Sequence, residues 1–193
     1  MAADFDIAVC ERVINYLLYK ASGNRMQFAV NLSGQSVQNE QFFKKLLTKL
    51  NAQKELAQRI VFEITESTTI TELGVVNHYI GELQKSGFRV CLDDFGAGGT
   101  SFQYLQQLQV DYIKIDGQYT RKILDSRRDQ ILVKNLCQTC KDLGIVPIAE
   151  MIEKVEQRQM MVKLGVQMGQ GYYFGYPGTK PEFDAEKLPA KPR

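Results

Sequence analysis

The sequence predicts an α/β fold of the TIM-type (β/α) barrel class. Three observations carry that reading. Short apolar strand candidates alternate with amphipathic helix candidates along most of the chain, the order that produces a parallel sheet. The strand candidates are continuous apolar runs, as expected where both faces of a sheet are covered. Almost every run ends in an acid or an amide, and the C-terminal ends of barrel strands line one mouth. A doubly wound sheet meets the first two observations as well. No Gly-rich phosphate fingerprint follows the first strand and no Walker-type loop occurs, so the polar strand ends favour the barrel.

The elements follow in order. Residues 5–21 read as a helix, because Cys10, Val13, Ile14, Leu17 and Leu18 fall on one apolar stripe. A short run, Phe28-Ala29-Val30, then ends in Asn31. A second helix carries Phe42, Phe43, Leu46, Leu47 and Leu50, and the strand Ile60-Val61-Phe62-Glu63-Ile64 follows. A third helix shows Val75, Val76, Tyr79, Ile80 and Leu83 and stops at Gly87. The strand Val90-Cys91-Leu92 runs into Asp93-Asp94-Phe95-Gly96, with a glycine-rich loop and a short helix near 101–108 after it. Tyr112-Ile113-Lys114-Ile115-Asp116 is the fourth strand. A long helix is expected over 118–143, ended by Gly144, then a strand at 145–150 and a helix near 154–164 ended by Gly165. A sixth strand is placed near Gln170-Gly171-Tyr172-Tyr173-Phe174. Residues 1–177 form the barrel domain on this reading, and 178–193 a Pro/Lys-rich tail or linker.

Composition narrows the function. The net charge of +2 offers no basic field for a nucleic-acid polymer. No stretch approaches the ~20 apolar residues needed to span a bilayer. Met1 to Asp6 lacks a basic and apolar leader, so a cytoplasmic location is expected. One histidine, His78, excludes sites built on several imidazoles and with them most zinc hydrolases. We assign His78 no catalytic role. Cys137 and Cys140 form a C-x-x-C inside a helical pattern with no second pair, so they read as small apolar residues on a buried face. Free thiols in a reducing compartment follow.

Chemistry collects at the strand ends: Asn31, Glu63, Asp93 with Asp94, Asp116 and Glu150. Any single one could be a helix cap; so many at one mouth point to a site. Ionised carboxylates crowded together repel one another, and divalent cations would resolve this. The donors are all oxygen, which suits Mg²⁺ or Mn²⁺. Asp93-Asp94 can bridge and flank two ions, the arrangement that activates water in phosphodiester cleavage. Lys114 shares a strand face with Asp116 and would orient the attacking water or neutralise phosphate charge.

These residues resemble the EAL domain family, whose members hydrolyse cyclic di-GMP to the linear dinucleotide. The resemblance rests on Asn31-Leu32-Ser33, Glu63-Ile64-Thr65-Glu66-Ser67, Asp93-Asp94-Phe95-Gly96, Lys114-Ile115-Asp116, Ala149-Glu150 with Glu153, and Gln170-Gly171-Tyr172-Tyr173-Phe174, in the family's order. It implies two Mg²⁺ or Mn²⁺ ions held by Asn31, Glu63, Asp93, Asp94 and Glu150. Asp116 would lie at or beside the second ion, and Lys114 would hold the nucleophilic water. Glu153 and Gln170 would complete the substrate side. Glu66 would anchor the loop after Asp94, which in the family couples dimerisation to catalysis. A homodimer and a sensory or GGDEF-type partner domain are implied too.

Departures from the family pattern shape a second reading. The Glu-Ala-Leu motif does not occur, and six strands are visible where a barrel has eight. The expectation is a barrel truncated at its N-terminus, weak or inactive alone and restored by upstream strands. Gly99 stands where active relatives usually place an aromatic, and Met151-Ile152 where they place Gly-Val. A side chain at 151 would crowd the site or shift Glu150. The alternative is therefore a degenerate EAL domain that binds cyclic di-GMP, or a partner protein, without turnover. An unrelated barrel phosphodiesterase is disfavoured by the combined Glu-Ile-Thr-Glu and Asp-Asp-Phe-Gly stretches.

Overall fold

The structure, a computed structural model, describes residues 2–20, 26–65, 70, 72–98 and 101–179. The chain divides into two compact units, Met1–Lys114 and Ile115–Arg193. The first contains helix α1 (Ala2–Tyr19), strand β1 (Phe28–Leu32), the single turn α2 (Gly34–Val37), α3 (Glu40–Asn51), a 3-10 helix (Lys54–Arg59) and β2 (Ile60–Thr65). It continues with α4 (Leu73–Lys85), β3 (Arg89–Phe95), α5 (Ser101–Gln107) and β4 (Tyr112–Ile115), whose last residue opens the second unit. Strands β1, β2 and β3 pair in parallel in chain order, with Asn31 opposite Glu63 and Thr65 opposite Asp93. The second unit contains α6 (Gly117–Lys122), α7 (Arg127–Leu143), β5 (Val146–Ala149), α8 (Val155–Leu164) and β6 (Met168–Gly169), with β5 and β6 parallel. The expected alternation of parallel strands and helices is therefore the fold.

The apolar stripes do most of what their spacing predicts, Val75 being exposed instead. Cys10, Ile14 and Leu17 of α1, Phe42, Phe43, Leu46 and Leu50 of α3, and Val76, Ile80 and Leu83 of α4 are buried. Phe43 stacks on Tyr79 at 4.2 Å between ring centres. Each such Leu, Ile or Phe contributes about 1.5–3 kcal/mol by leaving water. The pleat then sorts each strand. Val30, Leu32, Phe62, Ile64, Val90 and Leu92 take one face, which leaves Asn31, Glu63 and Asp93 together on the other. The glycines chosen as helix stops work as such. Gly87, Gly144 and Gly165 have φ of +88°, +74° and +104°. After each, an N–H reaches back five residues: Phe88 to Leu83 O, Ile145 to Cys140 O, Val166 to Met161 O.

Two elements differ from expectation. The helix expected over 118–143 is two helices. Asp125 and Ser126 fold back on Lys122 O at 3.1 and 2.9 Å, and the Ser126 hydroxyl then accepts the Asp129 N–H at 3.2 Å to start α7. The sixth strand is Met168–Gly169, not the aromatic stretch after it. At Gly171 the backbone takes φ +150°, and Phe174 N–H closes a turn onto Gly171 O at 3.0 Å. The cysteines match the apolar reading. All four are free and buried. Burial pushes the Cys137 thiol up to about 11 and Cys140 up to about 12, so both stay protonated and unreactive at neutral pH.

Asp111 shows what fixes the entry to β3 and β4. Its carboxylate accepts the Val90 N–H at 2.9 Å and the Gln84 amide at 3.0 Å, and meets Arg89 at 2.5 Å. Arg89 is raised above its ordinary value first by that hydrogen bond and then by the charge of Asp111, but it is largely exposed, so the pair itself adds little. The stabilisation lies in the two amide donors. Asp111→Ala removes the acceptor of both, leaving the Gln84 amide its bond to Gln109 O at 2.8 Å, and is expected to cost about 1–2 kcal/mol in denaturant unfolding. Asp111→Asn, which keeps an acceptor, should recover more than half. An alanine variant as stable as the parent would refute this account.

Candidate functional site

In the first unit the site is built on the polar face of β1–β3. Asn31 sits beside Glu63 by register, and Asp93 lies two residues further along the same face on β3. Lys114 on β4 completes the group. Its Nζ lies 2.9 Å from Asp93 Oδ1 and 3.3 Å from Glu63 Oε2. Lys114, Glu63 and Asp93 are only 5%, 8% and 8% exposed. A lysine on a strand between Ile113 and Ile115 is thus a buried cation clamped by two buried carboxylates. Removing the cation from such a buried cluster is costly.

Asp94 differs from its neighbour. Its N–H donates to Asp93 Oδ1 at 3.0 Å, and its φ is +58°. Aspartate tolerates that left-handed conformation better than most residues. Gly96 and the Ala97 N–H, which bonds Asp94 O at 3.1 Å, then turn the chain away. β3 therefore carries two consecutive carboxylates near its end, with different backbone conformations. Glu66 and Gly99 lie outside the described residues.

In the second unit, Asp116 leaves β4 to cap α6, its Oδ1 accepting the Gln118 N–H at 2.7 Å. Glu150 follows β5, and its N–H bonds Ile115 O at 3.3 Å. Glu150, Glu153 and Gln170 come together with Met151, Gly171 and Tyr172 around a cavity of about 380 Å³. Its floor is a small backbone ladder: Gln170 N–H to Ala149 O at 2.8 Å, Ile152 N–H to Gln170 O at 3.0 Å, and Tyr173 N–H to Ile152 O at 2.9 Å. Gln157, buried at the start of α8, accepts the N–H groups of Glu153 and Lys154 at 2.9 and 3.0 Å and donates to Thr120 O at 3.2 Å. It holds the Glu153 segment against α6. Gln157 shows no local sequence signal for this role, and Gly171 and Tyr172 line the pocket as well. Only the Gln-Gly-Tyr stretch carried a signal for the last two.

The donors fit divalent cations by their chemistry. Each unit offers several oxygen ligands, and no histidine or thiolate stands among them. Comparisons with known proteins agree. The chain matches the EAL domain family model over residues 1–177. The chain belongs to the EAL domain family. It is 30% identical over 178 residues to a probable cyclic di-GMP phosphodiesterase, PdeA of Escherichia coli, covering 92% of this chain and 24% of that protein. It is 34% identical over 149 residues to the cyclic di-GMP phosphodiesterase PdeB of Shewanella oneidensis, covering 77% and 17%. This EAL chain thus spans about a quarter or less of those relatives. Among solved structures it resembles an EAL domain protein of Listeria monocytogenes, at TM-score 0.79 and 27% identity over 86% of this chain and 66% of that one. It also resembles the manganese and cyclic di-GMP complex of Klebsiella pneumoniae BlrP1, at TM-score 0.80 and 28% identity over 91% and 45%. The α/β fold class of this EAL chain is that of these proteins. Among the described residues no helix is long and apolar enough to cross a membrane.

Proposed function

We propose that this EAL chain carries a metal-dependent phosphodiesterase site that hydrolyses cyclic di-GMP to the linear dinucleotide. The observation that supports it most is Lys114, buried and clamped between Glu63 and Asp93. A buried cation among carboxylates at strand ends is costly for a mere scaffold and useful for phosphoryl chemistry. Asn31, Glu63, Asp93, Asp94 and Glu150 would hold two Mg²⁺ or Mn²⁺ ions, with Asp116 at or beside the second. When bound, the ions supply an activated water and charge stabilisation on the phosphodiester. Lys114 orients that water and offsets phosphate charge. Glu153 and Gln170 bind the substrate side in the second unit's pocket. A cytoplasmic homodimer joined to a sensory or GGDEF-type domain completes the proposal.

The test is direct. The chain alone is expected to bind Mn²⁺ with a rise in melting temperature and to convert cyclic di-GMP to the linear dinucleotide only weakly, a conversion followed by chromatography over long incubations. Asp93→Asn with Asp94→Asn should remove both responses. No metal response and no product would sink the proposal. One observation favours the receptor alternative: Met151, at φ +54°, lines the pocket. Tight cyclic di-GMP binding without product would establish it.

A further inference from the structure

Met151 is held in an unusual way. It stands in the left-handed region at φ +54°, where a side chain of this size is strained. Gly117 lies so close that any Cβ there would overlap the Met151 side chain. The guanidinium of Arg121, one turn along α6, donates to Met151 Sδ at 2.8 Å. A thioether is a weak acceptor, and a guanidinium is built for planar, doubly bonded oxyanions. Yet this exposed arginine forms no ion pair among the described residues, although Glu150 and Glu153 line the same pocket as Met151. An anionic ligand entering beside those two carboxylates needs a countercharge.

We propose that Arg121, which stands behind the pocket wall against Met151, is a phosphate-binding residue and that Met151 is the plug it releases. A phosphate oxygen replaces the sulfur as acceptor, and Met151 swings out of the pocket wall. The ligand class is a phosphodiester or phosphomonoester. The inference rests on the pocket being the substrate side of the proposed site.

The experiment uses protein labelled at the methionine methyl carbons, with the Met151 signal assigned through Met151→Leu. Inorganic phosphate, the linear guanylyl dinucleotide and cyclic di-GMP are titrated separately, against sodium chloride at equal ionic strength. Phosphate-bearing ligands should move the Met151 methyl and chloride should not. Arg121→Gln should weaken binding about tenfold or more, with Arg121→Lys in between. If cyclic di-GMP fails to bind while phosphate still moves Met151 through Arg121, the proposed substrate is wrong and the arginine site stands. An unmoved Met151 methyl, or equal affinity of the parent and Arg121→Gln, would overturn the inference.

Discussion

Replacing Lys114 with methionine is expected to abolish the proposed turnover and to destabilise the protein, and the two losses should respond differently to metal. Lys114 Nζ touches Asp93 Oδ1 at 2.9 Å and Glu63 Oε2 at 3.3 Å, all three side chains being buried. Methionine fills the stem but removes the cation that lies between the two carboxylates. Removing one partner of such a cluster costs about 3–5 kcal/mol. The two carboxylates then repel each other. A divalent ion between them would end the repulsion, so Mn²⁺ should raise the variant's melting temperature more than the parent's. Turnover should stay about a hundredfold or more below the parent even with Mn²⁺ saturating, since no group remains to orient the water. A variant rescued in both stability and activity by metal would show that Lys114 only balances charge. A variant with parental stability throughout would show that the contacts in the structure are not made.

Much of this site was readable because strands impose a simple rule. A residue ending an apolar run on a parallel strand must emerge at the C-terminal edge. Asn31, Glu63 and Asp93 follow from that rule, and the register Asn31–Glu63 and Thr65–Asp93 places them on one face. Lys114 was readable as a strand lysine between two isoleucines, but its pairing with both Glu63 and Asp93 depends on strand order and register. The rule fails where the backbone leaves the strand. Asp116 reads as the last residue of β4, yet it caps α6 through the Gln118 N–H. Tyr172-Tyr173-Phe174 reads as strand by composition, yet Gly171 turns it. Tyr172 and Phe174 remain 52% and 37% exposed, so the aromatics signal the pocket's rim and not its core.

The break between α6 and α7 shows the opposite case, a local signal outweighed by a longer pattern. Ser126-Arg127-Arg128-Asp129 has a serine followed three residues later by an acid, an N-terminal capping arrangement. Apolar residues on both sides hid it by suggesting one continuous helix. The break matters for function, because it ends α6 just after Arg121 and keeps that short helix beside Met151 and Gln157. Gln157 and Arg121 belong to helices whose sequence shows nothing unusual. Their roles come from tertiary contacts with Thr120 and Met151 that no local pattern encodes.

Gly171→Ala should dismantle the second unit's pocket. The glycine sits at φ +150°, a conformation L side chains rarely adopt, which alone costs about 1–3 kcal/mol. The larger difficulty is space. A Cβ at 171 would lie 2.3 Å from both the N and the O of Ile152. Those two atoms make the bonds that tie the segments of the pocket together: Ile152 N–H to Gln170 O and Tyr173 N–H to Ile152 O. The backbone has to move, since no flexible side-chain end is there to yield, and both bonds open with it. Strain, two lost hydrogen bonds and the displaced Ile152 side chain together give an expected loss of about 4 kcal/mol or more. Glu153 and Gln170 then separate, so ligand affinity falls in whatever fraction stays folded. Gly175→Ala is the matched control, for nothing lies within 4 Å of its Cβ position, and it should unfold with the parent. Denaturant melts of the two variants, read beside cyclic di-GMP binding, decide the matter. Equal stability of Gly171→Ala and Gly175→Ala would mean that the turn at 171 is loose and that the pocket floor does not depend on it.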